Sequence, residues 1–170
     1  MFRTHRLFVL IFTALATIGC DQVAKQAASH VLSSAPDRSY LADTVRLSYA
    51  ENTGGFLSLG AGLPPAVRTA VFTVATGVAL LALAMVAFRR RSDTWAATGL
   101  VLLFSGGVSN WLDRIARGSV VDFLNVGIGP IRTGIFNLAD VAIMCGAASS
   151  NRSSRMCRSG SPSSIGCRSW

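Results

Sequence analysis

Four apolar stretches, separated by polar segments, limit what this chain can fold into. They cover residues 7–20, 66–88, 95–112 and 135–148. A helix rises about 1.5 Å per residue and the hydrocarbon core of a bilayer is about 30 Å thick, so a spanning helix needs about 20 residues. The second stretch reaches that length by itself, the first needs its amphipathic continuation toward Val31, and the fourth is short. We therefore predict an all-α membrane protein, a four-helix transmembrane bundle with a short fourth helix.

Composition and charge support this class. The 170 residues are 51% hydrophobic and only 14% charged, which is too apolar for an ordinary soluble domain. The net charge of +8 suggests nucleic acid as an alternative partner, but the basic residues are not gathered on one face with interleaved aromatic residues. They lie instead before the first stretch, after the second and after the fourth: Arg3, Arg6, Arg89, Arg90, Arg91, Arg152, Arg155 and Arg158. The positive-inside rule then predicts that both termini are cytoplasmic.

The helices and the segments between them follow from the same pattern. The predicted helices cover residues 7–31, 65–88, 95–112 and 136–148. Two polar segments, residues 33–64 and 113–135, connect them on the periplasmic side. Residues 44–49 alternate between polar and apolar side chains as a strand does, so we expect a small β-containing region in the first segment. Residues 1–148 form one predicted membrane domain.

The C-terminal segment differs from the remainder of the chain. Residues 149–170 are rich in Ser, Arg, Gly and Cys and keep no hydrophobic period, so we predict a disordered tail. The abrupt change resembles the translation of a shifted reading frame. A fourth helix of about fourteen residues would be about 21 Å long, shorter than the hydrocarbon core.

The spacing of the cysteines and histidines does not indicate a metal or cofactor site. Cys20, Cys145, Cys157 and Cys167 have neither a paired C-x-x-C spacing nor a histidine at metal-ligand distance. The two histidines belong to no H-E-x-x-H pattern, which argues against a metallopeptidase. We expect no metal and no cofactor. Cys20 also follows an apolar run, as the cysteine of a lipoprotein cleavage box does. In this alternative interpretation, residues 1–19 are a removable signal.

Four of the eight acidic residues lie in or beside predicted membrane segments, all at one end of the helices: Asp21, Asp113, Asp122 and Asp140. A carboxylate at bilayer depth costs several kcal/mol, so such residues are normally paired or functional. Asp21 lies four residues before Lys25, and Asp113 has Arg114 and Arg117 nearby, so structural ion pairs explain these two.

Asp122 and Asp140 have no adjacent cation to pair with. Two carboxyl groups that meet in a site of low dielectric constant cannot both ionise cheaply, so they share a proton. One can then take a proton from water while the other donates a proton to a peptide carbonyl, as in an aspartic peptidase. Spacing alone does not decide this, because any two aspartates at helix ends could meet.

Five motifs occur in order along the chain. They are D-Q-V-A-K at residues 21–25, N-T-G-G-F at 52–56, G-G-V-S-N-W-L-D-R at 106–114, V-V-D-F at 120–123 and F-N-L-A-D at 136–140. Together they resemble the lipoprotein signal peptidases, over about residues 5–147. The resemblance implies that Asp122 and Asp140 are the catalytic pair of a bacterial inner-membrane enzyme. It also implies cleavage of diacylglyceryl-modified prolipoproteins just before the lipidated cysteine.

Substrate-binding or supporting roles around the pair follow from the same motifs and from side-chain chemistry. Asn110, Asp113 and Arg114 share one helix face that could order the pair, and Asn137 is placed to donate a hydrogen bond to one of its carboxyl groups. The remaining candidates are Asp21, Lys25, Asn52 and Gly54. For each, the alternative is an ordinary cap or turn residue.

Two non-catalytic functions remain as alternatives. A homologue impaired by its atypical C-terminus could bind lipoprotein precursors without cutting them. A small non-enzymatic bundle such as a transporter would carry its ionisable residues near the bilayer midplane, whereas here they gather at one end of the helices.

Overall fold

A computed structural model of the chain describes residues 2–54, 63–89 and 94–158. Within these ranges lie four helices and four strands. In chain order they are α1 (Phe2–Leu32), β1 (Arg38–Tyr40), β2 (Val45–Asn52), α2 (Pro65–Arg89), α3 (Thr94–Arg117), β3 (Val120–Ile128), β4 (Ile131–Arg132) and α4 (Leu138–Arg158). The strands form one antiparallel sheet in the order β1-β2-β3-β4. Four helices and a small sheet are therefore the architecture.

Two of the described helices are long and apolar enough to cross a membrane by length and composition. These segments are Thr4–Leu32 and Pro65–Ala87, and α4 contains a shorter apolar segment, Leu138–Ser150. Only 6% of each long window is buried, whereas the core helix of a soluble protein would be mostly buried. The apolar side chains of α1 and α2 therefore point outward, as they do on a membrane-spanning helix.

The sheet joins the two segments that were predicted to lie between the helices. β2 pairs with β3 from Val45↔Val126 to Asn52↔Val120, and the register shifts between Leu47 and Ala50. The strand predicted at residues 44–49 lies mostly in β2. β3 was not predicted, because Val120, Val121 and Phe123 are all buried and give no polar–apolar alternation.

The sheet packs against the end of α1. Ala28 and Leu32 of α1 form a small core with Phe123 of β3, and Leu47 and Tyr49 of β2 pack around it. α1 and α3 end next to the sheet, and α4 begins beside it. We call this the sheet end of the bundle.

α3 and α4 approach each other closely because glycines face the neighbouring backbone. A Cβ atom added to Gly106 would lie 2.5 Å from the carbonyl oxygen of Ala139, and one added to Gly146 would lie 2.5 Å from that of Gly99. No side chain fits at these distances. The close approach brings the polar end of α3 next to the first turn of α4.

α3 is longer than predicted. It continues from Leu112 to Arg117 and ends where Gly118, at φ +77°, donates its N–H to the carbonyl of Arg114. A glycine of this conformation after the last turn is a common helix terminus. The predicted end at Leu112 was the end of the apolar stretch, but the helix continues beyond it with mostly polar side chains.

α4 continues beyond the predicted end of the fourth helix, while its apolar part is short, as predicted. α4 covers 21 residues to Arg158, about 31 Å at the usual rise, although only Leu138–Ser150 is apolar. The hydroxyls of Ser149 and Ser150 donate to the carbonyls of Cys145 and Gly146, so these serines are accommodated within the helix. Residues 149–158 of the predicted disordered tail are therefore helical. Residues 159–170 lie outside the described ranges.

Candidate active site

Asp122 lies on β3, in the middle of the sheet. Its side chain is 4% exposed, and its partner across the ladder is Ala50. Two amides donate to its carboxyl group: Asn52 Nδ2 to Oδ2 at 3.2 Å, and Asn137 Nδ2 to Oδ1 at 2.6 Å. The carbonyl of the Asn52 side chain accepts the N–H of Gly54 at 3.2 Å, which turns its amide nitrogen toward Asp122. Asn52 therefore contacts Asp122 directly, and Gly54 contacts Asn52.

Asp140 lies in the first turn of α4. Asn137 caps this helix: its Oδ1 accepts the Asp140 N–H at 3.0 Å, and Asp140 Oδ2 accepts the Asn137 N–H at 3.2 Å. This reciprocal pattern is a capping box in which an aspartate takes the third position. Asp140 Oδ1 accepts a hydrogen bond from Asn110 Nδ2 at 2.9 Å. The cap therefore fixes the backbone of Asp140 and one of its carboxyl oxygens together.

A short backbone pairing brings the two aspartates to one place. Phe136 accepts the N–H groups of Phe123 and Leu124 at 3.0 and 2.8 Å and donates its own N–H to Leu124 at 2.8 Å. The chain therefore runs along β3 immediately before α4 begins. Asn137 follows Phe136, so one residue caps the helix of Asp140 and donates to Asp122.

A buried layer of charge lies under the pair. Lys25 Nζ is 2.6 Å from Asp21 Oδ2 and 2.8 Å from Asp113 Oδ2, and the side chains of Lys25 and Asp21 are 0% exposed. The predicted Asp21–Lys25 pair is present. The prediction that Asp113 pairs with Arg114 or Arg117 is wrong, because the packing of α1 on α3 puts the Lys25 ammonium closer. A buried carboxylate needs such a partner.

The two aspartates interact electrostatically. Burial, followed by the nearby charge of Asp140, raises the pKa of Asp122 from its ordinary 3.8 to about 6. The amides of Asn52 and Asn137 and the ammonium of Lys25 act in the opposite direction. With a pKa of about 6, Asp122 can carry a proton at mildly acidic pH, as a general acid requires.

Comparison with known proteins identifies the family. A family model described as signal peptidase II matches residues 13–151. The chain belongs to the signal peptidase II family. Lipoprotein signal peptidases from Mycobacterium tuberculosis H37Rv and Leifsonia xyli are each 34% identical to it. The first aligns over 84% of this chain and 69% of its own length, and the second over 81% and 62%.

Two solved bacterial membrane enzymes share the fold. One, determined at 1.9 Å, has a TM-score of 0.71 at 24% identity and covers 83% of this chain and 88% of its own. The other, determined at 2.3 Å, has a TM-score of 0.73 at 22% identity and covers 95% and 94%. The helices and small sheet described above are therefore an arrangement found in bacterial membrane enzymes.

Arg114 of α3 is a further predicted site residue, and its charge acts on the two aspartates. Its guanidinium interacts electrostatically with Asp122, Asp140 and Asp113. Its Nε atom is buried, and no described group accepts a hydrogen bond from it. A buried donor without a partner among the described residues is costly.

Two residues inside the quoted motifs were given no role by the sequence. Gln22 Nε2 donates to Ser109 Oγ at 3.0 Å and to Asp113 Oδ1 at 3.1 Å, and Ser109 Oγ donates to Asp21 Oδ2 at 2.7 Å. These bonds join α1 to α3 in the layer under the pair. The only sequence signal was their position, next to Asp21 and Asn110 in those motifs.

Proposed function

We propose that this protein is an aspartic endopeptidase that removes the signal peptide from diacylglyceryl-modified prolipoproteins before the lipidated cysteine. Asp122 and Asp140 are the catalytic pair. The observation that carries the proposal is the convergence of the two carboxyl groups on Asn137, which donates to Asp122 and caps the helix of Asp140. Membership of the signal peptidase II family and the names of the relatives support the substrate.

The two aspartates have different environments, which suggests different roles. Asp122 is almost fully buried and its pKa is raised to about 6, so it holds the proton of the pair. Asp140 is half-buried and is the carboxylate that water can reach. In this division of roles Asp140 is the general base and Asp122 is the general acid.

The reaction then balances within the pair. Asp140 takes a proton from water as the water oxygen bonds to the scissile carbonyl carbon, and Asp122 donates its proton to the carbonyl oxygen. The tetrahedral intermediate collapses when the C–N bond breaks. Asp140 then protonates the leaving nitrogen, and Asp122 recovers a proton from a hydroxyl of the intermediate. Both carboxyl groups end in their starting states.

The test is cleavage of a lipidated precursor by the purified protein in detergent. Asp122→Asn and Asp140→Asn should each lose cleavage by about 10²- to 10⁴-fold while still binding the precursor, because an amide cannot titrate. Asp37→Asn, at an exposed aspartate in the segment between α1 and α2, is the matched control and should cleave normally. Cleavage at the native rate by either dyad variant would remove that residue from the mechanism. Precursor binding without cleavage by the native chain would instead favour an impaired homologue.

We also propose that all four helices span the bacterial inner membrane, with both termini in the cytoplasm and the sheet end facing the periplasm. The arginine clusters support this orientation, and at 24 residues α3 reaches the thickness of the hydrocarbon core. The apolar part of α4, Leu138–Ser150, is shorter, and the arginines that follow it lie at the cytoplasmic end. In a background without the native cysteines, Ala42→Cys should react with an impermeant thiol reagent from the periplasm, and Thr4→Cys should not. The reverse pattern would invert the topology.

A further inference from the structure

Lys25 makes two ion pairs and one hydrogen bond inside the protein. Besides Asp21 and Asp113, its ammonium donates to Asn110 Oδ1 at 2.7 Å. The contacts with Asp21 and Asp113 are ion pairs, and Asp113 Oδ2 accepts no hydrogen bond among the described residues, so the hydrogen bond to Asn110 is the directional contact of the three. Lys25 is 0% exposed, so all three contacts lie inside the protein.

The contact with Asn110 decides which end of that amide faces Asp140. Asn110 Oδ1 accepts from Lys25, and Asn110 Nδ2 donates to Asp140 Oδ1 at 2.9 Å. The two ends of an amide have nearly the same size and shape, so packing alone selects between them poorly. A flipped amide would place its NH₂ group against the ammonium and its carbonyl oxygen against the Asp140 carboxyl group. The cation makes that arrangement unfavourable.

Asp21 reaches Asp140 by a second route. Its Oδ1 accepts the N–H of Ala139 at 2.8 Å, and Ala139 immediately precedes Asp140. The first-turn N–H groups of a helix have no partner within the helix, so a carboxylate from α1 completes the cap that Asn137 begins. Asp21 is thereby fixed to the backbone of α4 as well as to Lys25.

We propose that the buried Asp21–Lys25 pair of α1 is a positioning unit for Asp140. Asp21 holds the backbone beside Asp140, and Lys25 holds the Asn110 amide in the one orientation that donates to its carboxyl group. Neither residue reaches the reacting atoms. The inference rests on the proposed function, because it assigns the cause of the geometry of one member of the catalytic pair.

Lys25 also contributes to the electrostatics of the pair. The charged groups that act on Asp122 are Lys25 on α1, Arg114 on α3 and Asp140 on α4, and Asp21 and Asp113 lie beside Lys25. Because the Lys25 ammonium lowers the pKa of Asp122, its removal should move the alkaline limb of the kcat/KM profile to higher pH. A residue with a merely structural role would not move that limb.

The experiment is a double-mutant cycle with Lys25→Met and Asn110→Ala, measured on a lipidated precursor over a range of pH. Lys25→Met should lower kcat/KM about a hundredfold, mainly through kcat, as expected for a misplaced reacting group. In the Asn110→Ala background the same substitution should cost less than about threefold, because the amide it orients is gone. Lys25→Arg, which retains a cation and several donors, should recover part of the rate.

Removal of a buried lysine leaves two carboxylates without their cation and could prevent folding. Lys25→Met combined with Asp113→Asn leaves this cluster with one negative charge, as in the native chain, and serves as the variant that folds. Ser105→Ala, at another fully buried serine of α3 whose hydroxyl donates to the Leu102 carbonyl, is the matched control. It should change thermal stability without shifting the pH profile.

Additive losses in the cycle, or an unshifted pH profile with losses that follow the thermal midpoint, would overturn the inference and make the pair purely structural. The dyad variants separate this failure from failure of the proposed function. If Asp140→Asn cleaves normally, both proposals fall. If Asp140→Asn is inactive but the cycle is additive, only the positioning role falls.

Discussion

The sheet end of the bundle and the outer faces of α1 and α2 distribute polar and apolar side chains in opposite ways. At the sheet end the most deeply buried side chains include Lys25, Asp21, Asp113, Ser109 and Asn137. On the outer faces of α1 and α2 the exposed side chains are large and apolar, and they include Phe8, Phe12, Leu15, Val74, Val78 and Leu81. In a bilayer, apolar surface faces lipid and polar groups must find partners within the protein.

The two regions constrain their side chains to different degrees. An apolar face toward lipid needs only the right length and hydrophobicity, whereas the buried polar cluster needs each donor to meet its acceptor. Substitutions at the sheet end should therefore have large effects through single atoms. Substitutions on the lipid-facing surface should have small ones.

Asn137→Ala should reduce cleavage by about a hundredfold or more. It removes the donor to Asp122 and the cap of α4, and loss of a cap alone costs about 1 kcal/mol of stability. Asn137→Ser is the matched variant, because serine can cap a helix but does not reach Asp122. Precursor cleavage and thermal unfolding should show Asn137→Ser nearly as inactive as alanine yet more stable. Normal cleavage by the serine variant would mean that the bond to Asp122 is unimportant.

Asp122→Asn should stabilise the protein at neutral pH while abolishing cleavage. Because the folded-state pKa of about 6 lies above the ordinary 3.8, the folded protein binds this proton more tightly than the unfolded chain. The contribution of Asp122 to stability is thus most favourable below about pH 4 and is lost as the pH rises through about 6.

The neutral asparagine avoids that loss. We expect a gain on the order of 2 kcal/mol in the free energy of unfolding at pH 7.5, and little difference at pH 4. Denaturation in detergent at both values checks the sign. A gain that is equal at both pH values would have a cause other than titration of this group.

Gly106→Ala should destabilise the protein by about 1 to 3 kcal/mol. The new methyl group would lie 2.5 Å from the Ala139 carbonyl oxygen, so α3 and α4 must separate where Asn110 meets Asp140. Gly19→Ala makes the same change on α1, where no atom lies within 4 Å, and should be neutral or slightly stabilising. Equal thermal midpoints for the two variants would contradict close packing of α3 on α4.

Leu15→Ala should have the smallest effect, within about 0.5 kcal/mol. Leu15 is 66% exposed on α1, so its truncation removes almost no contact within the protein. Leu32→Ala, on the same helix, truncates a side chain that is 6% exposed in the small core under the sheet, and should cost about 2 to 5 kcal/mol. Similar losses for both leucines in detergent would show that the exposed face of α1 is covered by protein rather than by lipid.

Much of the site could be predicted because it depends on local signals. Asp122 and Asp140 stand out as acids in apolar surroundings, and Asn137 lies three residues before Asp140, at the spacing of a helix cap. The ion pair between Asp21 and Lys25 follows from their spacing on α1. Each of these predictions needs only one helix or one turn to be correct.

The apolar stretches, the acids at one end of the helices and the motifs that identify the family can all be read along the chain. Three features depend on packing instead: Lys25 rather than Arg114 or Arg117 meets Asp113, the Asn137 amide donates to Asp122 and not to the Asp140 carboxyl group, and α4 continues to Arg158. The reason is physical. Hydrophobic periodicity specifies which face of a segment is apolar, whereas a hydrogen bond between α1 and α3 depends on how closely and at what height two helices pack.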